Sequence, residues 1–261
     1  MQLLDKMEEE NIPKTAITYN AAISSCEKGI VPQKAYEVFR RMQNEGIAPS
    51  AVSYSALISA AEKGGQWKLA LDILGEMKEN GHLGNDVAYS ATISALSKGL
   101  RWEIALQLFR ELQASGRQPS IVTYNATMTA LEKSLQWERA LDLFDEMKLN
   151  SLPITVVSYG SAICACDKGR QYRQCLEFLD EMTEMGIEKN VIIFGAAKSC
   201  MEKCHRADIG LLLMERMRKE GISPNVHCYT SVISACARSD MWEKGHELYL
   251  ELETVFSFSP R

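Results

Sequence analysis

Proline and cysteine are scarce in this chain, with seven and eight among 261 residues, and there is no basic excess and no long apolar run. Each shortage removes a class of protein. No stretch approaches the roughly 18 uninterrupted apolar residues of a membrane span. The opening MQLLDKMEEE has neither the basic n-region nor the apolar h-region of a secretory signal, so no membrane association is expected. The cysteines sit inside apolar helical patterns, which points to reduced thiols rather than a disulfide framework. The histidines, His82, His205, His227 and His246, are scattered, and no Ser/His/Asp arrangement or phosphate loop accompanies them. Neither an enzyme, nor a cofactor, nor a small-molecule substrate is therefore expected. With 29 Lys+Arg against 34 Asp+Glu, the formal charge of −5 argues against a nonspecific polyanion binder.

What the chain does have is a repeat. Shifting it by 35 residues superposes Tyr19, Tyr54, Tyr89, Tyr124, Tyr159, Phe194 and Tyr229. The same shift superposes Lys28, Lys63, Lys98, Lys133, Lys168, Lys203 and Arg238, then Ala35, Ala70, Ala105 and Ala140, then Met42, Met77, Leu112 and Met147. Six complete units follow, at 16–50, 51–85, 86–120, 121–155, 156–190 and 191–225. Residues 1–15 match only the second half of a unit, and 226–261 form a seventh whose end, SFSPR, has lost the usual Gly-x-x-Pro. The array is expected to begin in mid-unit. Cys164 with Cys166, and Cys200 with Cys204 and His205, fall in small or apolar columns without a Cys-x-x-Cys spacing, so no metal site is expected.

Each unit carries two helical patterns. Tyr19, Ala22, Ile23 and Cys26 fall at i, i+3, i+4 and i+7, as do Ala35, Val38, Phe39 and Met42. Thr18, Ser53, Thr123 and Ser158 are the expected N-caps of the first helices, and Gly29, Gly64, Gly99 and Gly169 their left-handed terminators. Gly46, Gly81, Gly116, Gly186 and Gly221 end the second helices in the same way. No segment alternates as a strand does. Two short helices cannot bury their apolar faces alone, so hairpins must stack, and an all-α solenoid of helix-turn-helix repeats is expected. It should comprise about fourteen helices, with the Lys28 column near one edge of a concave groove.

These columns resemble the pentatricopeptide repeat family, whose unit opens on V-x-Y-N, carries A-L-x-L-F-x-x-M in its second helix and closes on G-x-x-P. The best copy, IVTYNATMTALEKSLQWERALDLFDEMK, runs from Ile121 to Lys148, and the unbroken spacing resembles the family's pure P class. The sixth unit departs most, with Phe194-Gly195 for Tyr-Asn, Lys198 in the Ile23 column and Ala207 in the Trp67 column. The tetratricopeptide repeat fits less well, having a period of about 34 and an early Trp in its first helix. Here Trp67, Trp102 and Trp137 open the second helices.

The resemblance implies a right-handed superhelix that binds single-stranded RNA, one base per unit, for RNA processing, stabilisation or translation. It implies base-reading by the fifth and last slots of each unit, and sandwiching of bases by the second slots, Ile17, Val52, Val87, Val122, Val157 and Ile192. Asn20 with Ser50 then implies cytosine, Ser55 with Asn85 adenine, and Asn125 with Thr155 a pyrimidine. Ser90 with Ser120 is weakly informative, Gly160 with Asn190 and Gly195 with Asn225 lean to adenine, and Thr230 has no convincing partner, its unit ending in Pro260. The implied site is C-A-N-Y-A-A, its 5′ end at the N-terminal unit. An Asn amide suits a pyrimidine edge, whereas Ser, Thr or Gly leaves room for a purine.

Several assignments stay open. The column from Lys28 to Arg238 suits RNA phosphates, but a cation before a terminating glycine also suits the helix dipole. The tryptophans suit packing on the hairpin turn better than base stacking. A protein-interaction scaffold is the alternative to RNA binding, since solenoids also take peptides, and protein partners supplying catalysis are compatible with either reading. The resemblance alone implies a mitochondrial or chloroplast location, and no Arg-rich transit segment is visible.

Overall fold

The computed structural model describes residues 2–10, 12–82 and 84–257. The chain divides into two compact units, Met1–Ser134 and Leu135–Arg261. The first contains α1 (Gln2–Glu9), α2 (Ala16–Lys28), α3 (Pro32–Asn44), α4 (Ala51–Lys63), α5 (Trp67–Glu79), α6 (Asp86–Lys98), α7 (Trp102–Ala114) and α8 (Ile121–Lys133). The second contains α9 (Trp137–Leu149), α10 (Val156–Gly169), α11 (Tyr172–Glu184), α12 (Val191–Lys203), α13 (Ala207–Lys219), α14 (Val226–Arg238) and α15 (Trp242–Ser257). The all-α expectation holds, with fifteen helices and no strand among the described residues. Residues 258–261, which include Pro260 and most of the SFSPR end, lie outside them.

Hairpins stack by alternate packing. In the first unit α2 lies against α4, α4 against α6 and α6 against α8, while α3, α5 and α7 each fill the space before the next first helix. In the second unit α10, α12 and α14 form the same series. The columns explain why. Ala35, Ala70 and Ala105 are fully buried and let the two helices of a hairpin approach closely. Phe39 packs edge-on against Tyr54 of the next first helix at 5.1 Å, Phe109 against Tyr124 at 4.8 Å, and Phe144 against Tyr159 at 5.2 Å. The buried Met42, Met77, Met147, Met182 and Met217 fill what remains.

Two local expectations are corrected. The N-caps are Thr15, Ser50, Asn85, Ser120, Thr155, Asn190 and Asn225, three residues before the expected hydroxyls. Thr18, Ser53 and Ser158 instead stand at N3 and close capping boxes. The apolar pattern marks where the buried face begins, and the first turn of each helix precedes it because its second-slot residue faces outward. Gly29, Gly64 and Gly99 are likewise not left-handed, with φ of −79°, −78° and −84°, and Gly169 is the last residue of α10. The left-handed residue is the next one, including Ile30, Leu100 and Arg170, each at φ 54°. Three of these glycines are required by contact. A Cβ would come within 2.4 Å of Pro32 at Gly64, of Trp67 at Gly99 and of Trp137 at Gly169. Trp67 thus packs on the turn of the next hairpin, and the Arg101 guanidinium covers its ring at 5.0 Å. Gly46, Gly81, Gly116, Gly186 and Gly221 do take positive φ.

Candidate nucleic-acid interface

Each first helix from α2 to α12 presents in its second slot a branched aliphatic that the core does not use. Ile17 is 81% exposed, and Val52, Val87 and Val122 in the first unit and Val157 and Ile192 in the second are exposed as well. The fifth slot follows three residues later on the same helix face. The last slot of a unit is the N-cap of the following first helix, so its side chain sits at that helix's N-terminus.

One of the implied pairs is hydrogen-bonded. Ser55 Oγ lies 3.2 Å from Asn85 Oδ1 and 2.8 Å from the Ala51 carbonyl, and the Asn85 oxygen accepts from Ala88 N–H at 2.8 Å. Capping therefore commits the Asn85 carbonyl and leaves its amide N–H groups to offer. Asn225 and Asn190 are committed in the same way, to Cys228 N–H at 2.9 Å and to the Ile192 and Ile193 N–H groups at 3.0 Å. Among the described residues no hydrogen bond joins Asn20 to Ser50 or Ser90 to Ser120. Ser50 and Ser120 cap their helices, and Ser90 donates to the Val87 carbonyl. Asn125 stands on α8 in the first unit and Thr155 caps α10 in the second. Asn20 Oδ1 and Asn125 Oδ1 are buried with no donor. Gly160 and Gly195 leave their fifth slots without a side chain.

The basic column is engaged inside the scaffold. Lys63 pairs with Glu27 at 2.9 Å, Lys98 with Glu62 at 2.7 Å, Lys203 with Asp167 at 2.5 Å and Arg238 with Glu202 at 3.7 Å. Each cation reaches back to the acid of the preceding unit. Lys168 holds the same place at the end of α10. At Lys133 the ladder breaks, because the corresponding residue is Ser97, whose Oγ is buried without a partner. Lys28 and Lys133 make no ion pair among the described residues. The acids were visible beside the lysines in sequence, but not their pairing, which links neighbouring units and not neighbouring residues.

A second ladder was missed altogether. Tyr89 donates to Glu111 Oε1 at 2.8 Å, and Lys78 of the previous second helix pairs with the same carboxylate at 2.6 Å. Tyr159, Glu181 and Lys148 repeat this, as do Tyr229, Glu251 and Arg218. Burial pushes the Tyr89, Tyr159 and Tyr229 phenols up, and the carboxylate each one meets adds to the effect. These triads fix α6, α10 and α14 each against two second helices. No group of His, Cys, Asp and Glu side chains among the described residues is placed to hold a metal, and all eight cysteines are free thiols. No described helix is long and apolar enough to cross a membrane.

Comparison with known proteins agrees with this architecture. The PPR repeat family model matches residues 14–63, 49–98 and 119–168, the pentatricopeptide repeat domain model 177–239, and the PPR repeat model 87–117, 157–187 and 227–254. The chain belongs to the pentatricopeptide repeat family. No curated protein matches it. Among solved structures it is similar to the pentatricopeptide repeat protein PPR10 from maize, with TM-score 0.65 and 18% identity over 100% of this chain and 42% of that one. PPR10 in complex with an 18-nt psaJ RNA element gives TM-score 0.61 at 18% identity, covering 100% of this chain and 43% of that one. The PPR domain of Arabidopsis thaliana protein-only RNase P 1, in complex with tRNA, gives 0.56 at 15% identity over 62% of this chain and 86% of that one. This chain thus spans less than half the length of the PPR10 chain. At such identities the likeness establishes the solenoid fold.

Proposed function

We propose that this chain binds single-stranded RNA with one base per unit, holding a transcript segment without reacting with it. The observation that carries the reading is the pair of orphaned acceptors at Asn20 and Asn125. A buried carbonyl without a donor is costly, and each stands on the helix face of an exposed aliphatic, Ile17 or Val122, against which a base can pack, so that the amide gains by turning outward to the base edge. The 18-nt RNA held by PPR10 and the tRNA held by the RNase P 1 domain support it. The family resemblance would place the transcript in mitochondria or chloroplasts.

The test is a change of letter in one unit. Ser55 and Asn85 are read as selecting adenine. Ser55→Asn with Asn85→Asp should move that position toward uracil by about 1–3 kcal/mol, measured by competition between RNAs differing at one base. Aspartate still caps α6, so the fold is retained. Identical ranking of adenine and uracil by both folded proteins would show that these slots do not read.

The ladder makes a separate prediction. Lys133→Glu should weaken binding to all sequences and lower the slope of log K against log salt by about one, whereas Lys98→Glu should do less because Lys98 is already neutralised by Glu62. Equal effects would mean that the ion pairs open when RNA binds. A protein-scaffold reading remains the alternative that the charge of −5 favours. Absence of salt-dependent RNA binding by the parent would select it.

A further inference from the structure

Within the RNA-binding reading, we infer that the unit 191–225 takes guanine and that Asp167 of the preceding first helix selects it. A cavity of about 320 Å3 lies here, bounded by the exposed Ile192, Asn225 and His227 and by the more buried Asp167, Gly195 and Ser199. Gly195 removes the fifth-slot side chain, and even a Cβ there would find its nearest neighbour, His227 Cδ2, only at 3.8 Å. A two-ring base has room, and a pyrimidine leaves the space beside the glycine unfilled. His227 stands where the earlier units carry valine or isoleucine, so one wall offers an aromatic face for stacking.

The polar groups then distinguish the purines. The Asn225 carbonyl is committed to Cys228 N–H, so the amide presents donors only. Asp167 is 7% exposed; Lys203 holds its Oδ2 at 2.5 Å, and its Oδ1 is buried with no partner. The site therefore offers a donor and, once a base turns the Asp167 carboxyl toward it, a carboxylate acceptor that no other group claims. On guanine the Watson–Crick edge presents an acceptor at O6 and two adjacent donors at N1–H and the 2-amino group, which a carboxylate oxygen accepts. Adenine presents one amino donor beside the N1 lone pair, which a carboxylate repels. The two-slot pairing of Gly195 with Asn225 implied adenine, so the third residue reverses the letter.

The experiment uses the full chain and short RNAs of the form C-A-N-Y-A-X, with X as guanine, adenine, inosine or uracil, compared by fluorescence anisotropy at one salt concentration. Guanine should exceed adenine by about tenfold, with inosine, which lacks the 2-amino group, between them. Asp167→Asn should abolish the guanine preference, while Lys203→Gln, which removes the ion pair but keeps the carboxylate, should retain it. The parent's ranking of the four bases needs no variant and decides the matter even if Asp167→Asn folds poorly. Adenine at or above guanine in a parent that still discriminates at X overturns the assignment and leaves the RNA-binding reading standing. Guanine preference persisting in a folded Asp167→Asn overturns the role of Asp167. Equal binding of every RNA, a scrambled one included, overturns base reading as a whole.

Discussion

Gly64→Ala is expected to destabilise the first unit by about 2–3 kcal/mol, a large loss for one added methyl group. The new Cβ would stand 2.4 Å from Pro32 Cγ and 2.9 Å from its Cδ. The proline ring is tied into the backbone at the first position of α3 and cannot rotate away. α3 would have to move, and with it the buried Val38, Phe39 and Met42. Pro32→Ala removes both clashing atoms, so the double variant should recover most of the loss, a coupling of more than about 1 kcal/mol in a double-mutant cycle followed by denaturant unfolding. Ser134 supplies the natural contrast, since it carries a Cβ in the corresponding slot one hairpin after Trp102, and an indole can swing where a proline ring cannot. Additive effects of Gly64→Ala and Pro32→Ala would show that their contact does not set the spacing of the hairpins.

Lys198→Met should stabilise the second unit at neutral pH by about 1–3 kcal/mol, the gain found when a buried charged group gives way to an apolar one of similar size. Lys198 is 1% exposed, in a column held elsewhere by isoleucine and by Met128. Its Nζ contacts Met217 Sδ at 3.1 Å, and no ion pair compensates it among the described residues. Burial holds its pKa below the usual 10.5, the Cys228 thiol opposes this in part, and the Arg218 charge reinforces it. The sign follows from proton counting. Between the depressed folded pKa and 10.5 the unfolded chain binds more protons than the folded one, so stability rises with pH across that window. Below the folded pKa the whole cost is present. The difference in unfolding free energy between variant and parent should therefore shrink as pH climbs toward 10.5, and a pH-independent difference would show that Lys198 does not titrate there.

The helical hairpin was legible from residues such as Tyr19, Ile23, Ala35 and Met42, because a helix shows its buried face every three to four residues whatever it packs against. The second-slot aliphatics such as Ile17 and Val52 followed from the family resemblance and not from the periodicity, and the structure leaves them exposed. The caps were misplaced by three residues because Ser50 and Ser53 are both good capping residues, and only the backbone shows which precedes the first turn. The glycines before the turns were assigned a left-handed conformation when the constraint on Gly64, Gly99 and Gly169 is the side chain of another hairpin lying on them.

Sequence by itself determined the period, the helix pairs, the core columns and the family, because these depend on local periodicity and on identity between units. Tertiary structure decided what the columns do. It turned Lys63 and Lys98 from free cations into partners of Glu27 and Glu62, left Lys133 without such a partner, and set Asp167 beside the Gly195 cavity. The Lys63 and Lys98 pairings and the approach of Asp167 to Gly195 join side chains about one repeat apart, a separation that stacking makes adjacent and that no pattern within one unit encodes.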